Sequence, residues 1–178
     1  MASTLAALDD AKRVIDRLLG AACALILAVT AASVIWQVIT RYILGTPSTQ
    51  TAEIARLLFM WMAMLGGAYA FGQGKHLAID FLPMALKGGA RRRLELLILA
   101  VVAAFAGLVM VGGGTDLVLR TLKSGQITPT LGLPMGWIYL ALPVSGATIL
   151  FYCLWFALGV LSGRGGGMIP HSDANTTS

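Results

Sequence analysis

The sequence has little charge for its length. Only 12% of its 178 residues are Asp, Glu, Lys or Arg, about half the roughly 25% that is usual in soluble domains. Apolar residues make up 57%, and the mean hydropathy is +0.81. A soluble core cannot absorb this much apolar surface without large exposed patches, whereas lipid covers such surface directly. The composition therefore excludes an ordinary soluble domain and indicates an integral membrane protein.

Cysteine and histidine are also scarce, and neither occurs in a metal-binding or catalytic pattern. Cys23 and Cys153 lie inside apolar runs, far from any CxxC or Cys/His cluster, so we interpret them as packing residues without a disulfide. His76 lies at the edge of an apolar run and His171 near the C-terminus, which disfavours haem bound between helices. The sequence contains no phosphate loop, zinc spacing, nucleophile with its base or pair of intramembrane carboxylates. We therefore predict no enzymatic activity, no cofactor and no metal.

Four apolar runs are long enough to cross the roughly 30 Å of membrane hydrocarbon as helices. They cover about residues 18–39, 53–73, 94–113 and 135–161. Because lipid cannot satisfy free backbone groups, each is expected to be a helix. The predicted fold class is all-α, an integral membrane protein with four transmembrane helices in a single domain, 18–161. The first run is longer than the apolar part of a signal peptide, so we expect it to remain as an anchor.

The placement of the basic residues predicts how the chain is oriented in the membrane and which kind of partner it binds. Nine Lys and Arg lie in the N-terminal segment, between runs two and three and in the tail, against at most four on the opposite side. Both termini are therefore expected to be cytoplasmic. The net charge is +5. Because the basic residues lie mostly beside apolar runs, they favour membrane lipid over nucleic acid as the binding partner.

The segments outside the four runs carry their own predictions. Residues 1–17 form a cytoplasmic amphipathic segment that either lies among the headgroups or prolongs the first helix; the sequence leaves both open. Between runs two and three a short interfacial helix is expected, with Asp80 as its N-cap. Residues 162–178 are expected to form a flexible cytoplasmic tail. Pro143 is expected to bend the fourth helix.

Charged residues mark the ends of the second run. Glu53 and Arg56 are three residues apart, so they share a helix face and can pair. Counted back from Lys75 and His76 at 1.5 Å per residue, Glu53 lies in the headgroup layer. Arg56 is one turn deeper and can extend its charge outward. Three roles are possible for these two residues: orientation of the helix, contact with a partner subunit, and handling of substrate or protons. Arg41, just after the first run, is either a boundary anchor or a substrate clamp.

Small residues recur every four positions on the first two runs. They are Gly20, Ala24, Ala28 and Ala32 on the first and Gly66, Ala70 and Gly74 on the second. This spacing lets helices approach closely in lipid. The neighbouring helix can belong to this chain or to another subunit.

The stretches "RYILG", "AEIARLLFMWMAMLGGAYAFGQGKHLAIDFLP" and "PTLGLPMGWIYLALPVSG" resemble the small membrane subunit of tripartite ATP-independent periplasmic (TRAP) transporters, the DctQ-type family. The resemblance covers roughly residues 15–160. It depends on the order and spacing of several weak motifs, which fall on Arg41 and Tyr42, Glu53 and Trp61, His76 and Asp80, and Pro134, Trp137, Tyr139 and Pro143. One departure is Ala52, since a second acidic or polar residue often precedes the glutamate in the family.

The resemblance implies a non-catalytic subunit in the bacterial inner membrane. Its partners would be a large multispanning membrane subunit, which carries the substrate and sodium sites, and a periplasmic substrate-binding protein. The small subunit would act as scaffold and help to dock the binding protein during sodium-coupled import of an organic acid, such as a carboxylate or a sialic acid-like solute. An alternative is a self-sufficient proton-coupled exporter that acts as a homodimer, and a third is a haem-bearing membrane anchor.

Overall fold

Four helical spans account for most of the structure. The computed structural model describes residues 2–46, 48–74 and 89–162. Its helices are α1 (Ala2–Tyr42), α2 (Thr49–Gly72), α3 (Gly89–Phe105), a π-helical segment (Ala106–Gly113), α4 (Gly114–Lys123), α5 (Met135–Tyr139) and α6 (Ala141–Leu161). Four stretches, here called the first to fourth spans, are long and apolar enough to cross a membrane: Ala7–Tyr42, Thr49–Gly72, Arg92–Lys123 and Met135–Leu161. The described residues contain no strand, and the all-α, four-span prediction is confirmed.

α1 is one continuous helix that includes the N-terminal segment. It has 41 residues, about 60 Å at 1.5 Å per residue, which is twice the thickness of the hydrocarbon layer. Of the two arrangements that the sequence left open, the structure shows the one in which the N-terminal segment prolongs the first helix.

Local hydrogen bonds stabilise both ends of α2. Ser48 is its N-cap, and the Thr51 hydroxyl donates to the Ser48 carbonyl at 3.1 Å. At the other end Gly74 has a φ of 64°, and its N–H donates to the Phe71 carbonyl at 3.0 Å. A left-handed glycine of this kind terminates a helix. The predicted interfacial helix with His76 and Asp80, and the tail from residue 163, lie outside the described residues.

The third span changes its helical geometry half way along. Its π-helical segment packs against α6, where Gly146 faces it. A Cβ at Gly146 would lie 2.7 Å from Met110 Cβ and 3.1 Å from Val111 Cγ2, which is too close for any side chain. Because π turns are wider than α turns, the contact between the third and fourth spans depends on this glycine.

The fourth span contains Pro143, which has no N–H to donate to the carbonyl of Tyr139, four residues before it. The regular hydrogen bonding is interrupted at Leu140, between α5 and α6, but Leu140 keeps a helical backbone with a φ of -57° and a ψ of -22°. The bend expected at Pro143 stays a prediction.

The fourth span lies at the centre of the bundle and the first at its edge. In the most apolar window of each, 33% of the fourth span is buried but only 11% of the first. α1 packs mainly against α2. In addition, α2 packs against α6, and α6 packs mainly against the third span. Tyr152 of α6 is fully buried, and a Cβ on Gly72 would overlap its ring. The shared core consists of Leu19, Cys23, Leu65, Phe71, Leu99, Tyr152, Cys153 and Phe156.

Candidate functional site

The structure places most of the predicted residues in two groups. Six lie at one end of the bundle, where α1 ends and α2 and α5 begin: Arg41, Tyr42, Glu53, Arg56, Pro134 and Trp137. Four lie along or just after α2: Trp61, Gly66, Ala70 and Gly74. We call the first group's location the Glu53 end; it is the end that the distribution of Lys and Arg predicts to be periplasmic.

Glu53 connects the start of α2 to the loop between α4 and α5. Its side chain is buried, with 8% exposed. One carboxylate oxygen, Oε2, accepts the backbone N–H of Thr130 at 2.9 Å and that of Leu131 at 3.2 Å. Two successive backbone N–H groups make a small concave anion site, and here the anion is a side chain of the same chain. The carboxylate therefore fixes the loop on α2.

The loop of residues 126–135 is also closed on itself. Met135 N–H donates to the Gln126 carbonyl at 2.9 Å, and Thr128 N–H donates to the Leu133 carbonyl at 2.8 Å. The Thr128 hydroxyl, which is buried, accepts the N–H of Leu133 at 3.1 Å. These bonds, together with those to Glu53, fix the conformation of the loop without any regular strand.

Large apolar side chains stand exposed around this fixed loop. Ile127 and Leu133 project from the loop itself, and Trp137, 65% exposed, follows at the start of α5. Tyr42, 77% exposed, ends α1, with the Arg41 guanidinium 5.9 Å from its ring centroid. The Glu53 end therefore presents a preformed surface with aromatic and aliphatic residues.

Glu53 and Arg56, which the sequence indicates could pair, are not in contact through their charges. The described part of the chain has no ion pair between them, because the Glu53 carboxylate turns to the loop amides. Arg56 is exposed on the outer face of α2. The sequence located Glu53 at a helix end but missed its partners, which lie 77 and 78 residues away.

In the small-residue pattern on α2, Gly66 makes no close contact with another described helix of this chain. No atom lies within 4 Å of a Cβ built on Gly66, and Gly74 follows the end of the helix. The close contacts of α2 are instead at Gly72 and at Ala68, which is fully buried. Trp61 packs partly against the core.

On α1 only the first residue of the corresponding pattern approaches another helix. Gly20 lies 3.7 Å, measured from its built Cβ, from the Tyr69 side chain. Ala24, Ala28 and Ala32 are exposed. These three alanines and Gly66 thus face away from this chain's own core.

A second polar cluster, which the sequence analysis did not predict, joins α1 to α6. The Tyr152 hydroxyl donates to Asp16 at 2.6 Å, and Trp155 Nε1 donates to Asp9 at 2.8 Å. Lys12 pairs with Asp16 at 2.7 Å, and its ammonium lies 5.0 Å from the Trp155 ring centroid. The signal in the sequence is the spacing of 9, 12 and 16 on one helix face and of 152 and 155 on another. The cluster fixes the N-terminal part of α1 against the bundle.

The described residues contain no group of three or more His, Cys, Asp and Glu that could bind a metal ion. Cys23 and Cys153 are buried and unpaired with each other. Two open grooves between the spans are lined by apolar side chains.

A family model described as the DctQ component of tripartite ATP-independent periplasmic transporters matches residues 30–163. The chain belongs to this family. It is a small permease subunit of a TRAP transporter, a class of membrane transport component and not an enzyme. The predicted family, the absence of enzymatic activity and the multi-pass location in the inner membrane are thereby confirmed.

Two similar proteins are small permeases for different solutes. The chain is 36% identical over 121 residues to the C4-dicarboxylate TRAP transporter small permease protein DctQ of Rhodobacter capsulatus, covering 68% of this chain but 52% of that protein. It is 34% identical over 127 residues to the sialic acid TRAP transporter small permease protein SiaQ of Vibrio cholerae, covering 71% of each. The chain thus spans about half the length of the first relative.

A third relative is much longer. The sialic acid TRAP transporter permease protein SiaT of Haemophilus influenzae is 28% identical over 117 residues, which are 65% of this chain but only 18% of that protein. The matched region is therefore a minor part of a large permease polypeptide.

Proposed function

We propose that this TRAP small permease is the scaffold subunit of a sodium-coupled importer for an organic acid. In this proposal it binds a large multispanning membrane subunit through its lateral faces. It also helps to dock a periplasmic substrate-binding protein at the Glu53 end. The solute and sodium are bound by the large subunit.

The observation that carries the docking role is the loop of residues 126–135. Glu53 fixes it through two backbone amides, so its exposed apolar residues keep their positions in the free protein. A preorganised surface loses less conformational entropy on binding than a flexible one. Exposed Trp and Tyr residues are the types most enriched among the strongest contacts of protein interfaces.

The scaffold role is supported by the interior of the bundle. The two open grooves between its spans are apolar, and an anionic solute left there would lack hydrogen-bond partners. The relative SiaT supports the same role, because its matched region is a small part of a long permease. The choice of an organic acid follows the names of the dicarboxylate and sialic acid relatives.

Transport in proteoliposomes tests this proposal when the chain is reconstituted with its large subunit and binding protein. Leu133→Asp and Trp137→Ser remove exposed apolar side chains without opening a cavity. We expect the half-saturating concentration of binding protein to rise about tenfold, equivalent to about 1.4 kcal/mol. Val14→Asp, an exposed residue at the opposite end of the molecule, is the matched control and should leave this concentration unchanged.

The outcomes separate the two roles. An unchanged dependence on binding protein in both loop variants would disprove docking at the Glu53 end. Sodium-driven transport by this chain without the large subunit would disprove the scaffold role. The homodimeric exporter is the less favoured candidate, because such a protein needs a membrane-embedded carboxylate free to exchange protons, and Glu53 is engaged by loop amides.

A further inference from the structure

A groove between the third and fourth spans runs inward from a pair of arginines. Its volume is about 380 Å³, and its lining is apolar: Leu96, Leu99, Ala100, Ala103, Leu150, Cys153, Leu154 and Ala157. Leu99 and Cys153 form the buried floor, whereas Ala100 and Leu154 are exposed along its rim. The groove therefore opens sideways, toward whatever surrounds the bundle.

The two helices are aligned so that one end of the groove reaches a charged boundary. Arg92 lies one turn before Leu96 on α3, and Leu161 lies one turn after Ala157 on α6. One Arg92 nitrogen donates to the Leu161 carbonyl at 3.1 Å, so this arginine bridges the two helices at the groove mouth. Arg92 and Arg93 are both exposed.

The arginines retain unused hydrogen-bond donors at this mouth. A guanidinium has five N–H donors, and among the residues that the structure describes Arg92 has one acceptor, the Leu161 carbonyl. Arginine binds phosphate through two parallel hydrogen bonds. An apolar channel about 10 Å long at 1.5 Å per residue, with such donors at its outer end, matches a phosphate attached to a hydrocarbon chain.

We propose that this groove binds one anionic phospholipid, with an acyl chain between α3 and α6 and its phosphate group on Arg92 and Arg93. Charge complementarity selects this occupant over a helix of another subunit, because an apolar helix would offer the two arginines no anionic group at the mouth. Basic sites between transmembrane helices are known to bind anionic headgroups in this way. The lipid would fill the space between the third and fourth spans and contact the carbonyl end of α6 through Arg92.

The test uses the full chain, purified in mild detergent together with its large subunit and incubated with phosphatidylglycerol or with phosphatidylcholine of the same acyl chains. Native mass spectrometry then measures the retained lipid. We expect phosphatidylglycerol to be preferred. We expect Arg92→Gln and Arg93→Gln each to lower its retention about fivefold, the factor for one cation at an anionic surface. Arg13→Gln and Arg17→Gln, exposed cations on α1, are the matched controls.

A second pair of variants tests the groove itself. Ala103→Phe fills the inner end and should lower retention of both lipids, whereas Ala28→Phe, on the exposed face of α1, should not. If Ala103→Phe prevents folding, Ala100→Phe on the open rim replaces it. Glycerol phosphate, which has the anion but no acyl chain, should bind far more weakly than phosphatidylglycerol.

Three results would overturn the proposal. One is equal retention of the two lipids by the unmodified protein. Another is retention that neither the arginine variants nor the groove variants change. The third is efficient cross-linking of Ala100→Cys to the large subunit, which would show that a helix occupies the groove.

Discussion

At the scale of single residues, Glu53 takes part in hydrogen bonds that no neighbour in the sequence can replace. Glu53→Ala removes a buried carboxylate and leaves the partly buried N–H groups of Thr130 and Leu131 without their acceptor. Such a loss costs about 1–3 kcal/mol. We expect the loop of residues 126–135 to become accessible to protease in the purified complex, with no loss of the large subunit.

Two substitutions serve as controls for this experiment. Glu53→Gln keeps a side-chain oxygen acceptor at the same place and should protect the loop in part. Arg56→Gln changes an exposed charge one turn away and should behave like the unmodified protein. A loop that stays protected in Glu53→Ala would show that the carboxylate is not what fixes it.

The buried hydrogen bond between Tyr152 and Asp16 supports a second prediction. Tyr152→Phe removes a 2.6 Å bond to a carboxylate, and bonds to charged groups contribute about 1.5–3 kcal/mol. We expect a lower midpoint of thermal unfolding for the complex. Asp10→Asn should have no such effect, because Asp10 is exposed and 3.7 Å from Arg13. A midpoint that Tyr152→Phe leaves unchanged would mean that Lys12 alone satisfies Asp16.

The same two residues show what could be predicted from the sequence at this scale. Glu53 is recognisable in the sequence because it marks the end of an apolar run, but its partners are fixed only when the distant loop folds against α2. Tyr152 was counted as part of an apolar run. Its importance arises from Asp16, 136 residues earlier, and from Gly72, which leaves space for its ring.

At the scale of elements, hydropathy and length were sufficient to predict four helices, whereas their interruptions were not predictable in detail. The π-helical segment packs closely on Gly146 through Met110 and Val111, a contact that periodicity along one helix does not encode. The loss of regular hydrogen bonding before Pro143 was foreseeable because it is local: a missing N–H acts on the preceding turn.

Two glycines of α2 make matched probes of packing within the chain and packing against a partner. Gly72→Val would overlap the Tyr152 ring and should prevent stable folding, seen as loss of the chain from the membrane. A Cβ at Gly66 has no atom of another described helix within 4 Å, so Gly66→Val should leave folding unaffected. We predict that Gly66→Val instead weakens co-purification of the large subunit, and equal co-purification would place the partner on another face.

At the scale of the whole molecule, the charge distribution predicts which end faces the cytoplasm. The cluster of Asp9, Lys12, Asp16, Tyr152 and Trp155 fixes the start of α1 beside the end of α6, so these two helix ends lie together at the end of the bundle opposite Glu53. Nine of the 13 Lys and Arg belong to segments that the sequence analysis assigns to this side, which predicts that it is cytoplasmic. The docking proposal requires this orientation, because a periplasmic protein can reach only the other end.

Reporter fusions test the orientation directly. Alkaline phosphatase, which is active only in the periplasm, should be inactive when fused after Ser162 and active when inserted at Gly125, in the exposed connection after α4. Green fluorescent protein fused after Ser162 should be fluorescent, which controls for expression of the inactive fusion. The reverse pattern would place the Glu53 end in the cytoplasm. It would refute docking of a periplasmic protein there but leave the lipid groove and the four-span fold untouched, because neither depends on which side of the membrane is which.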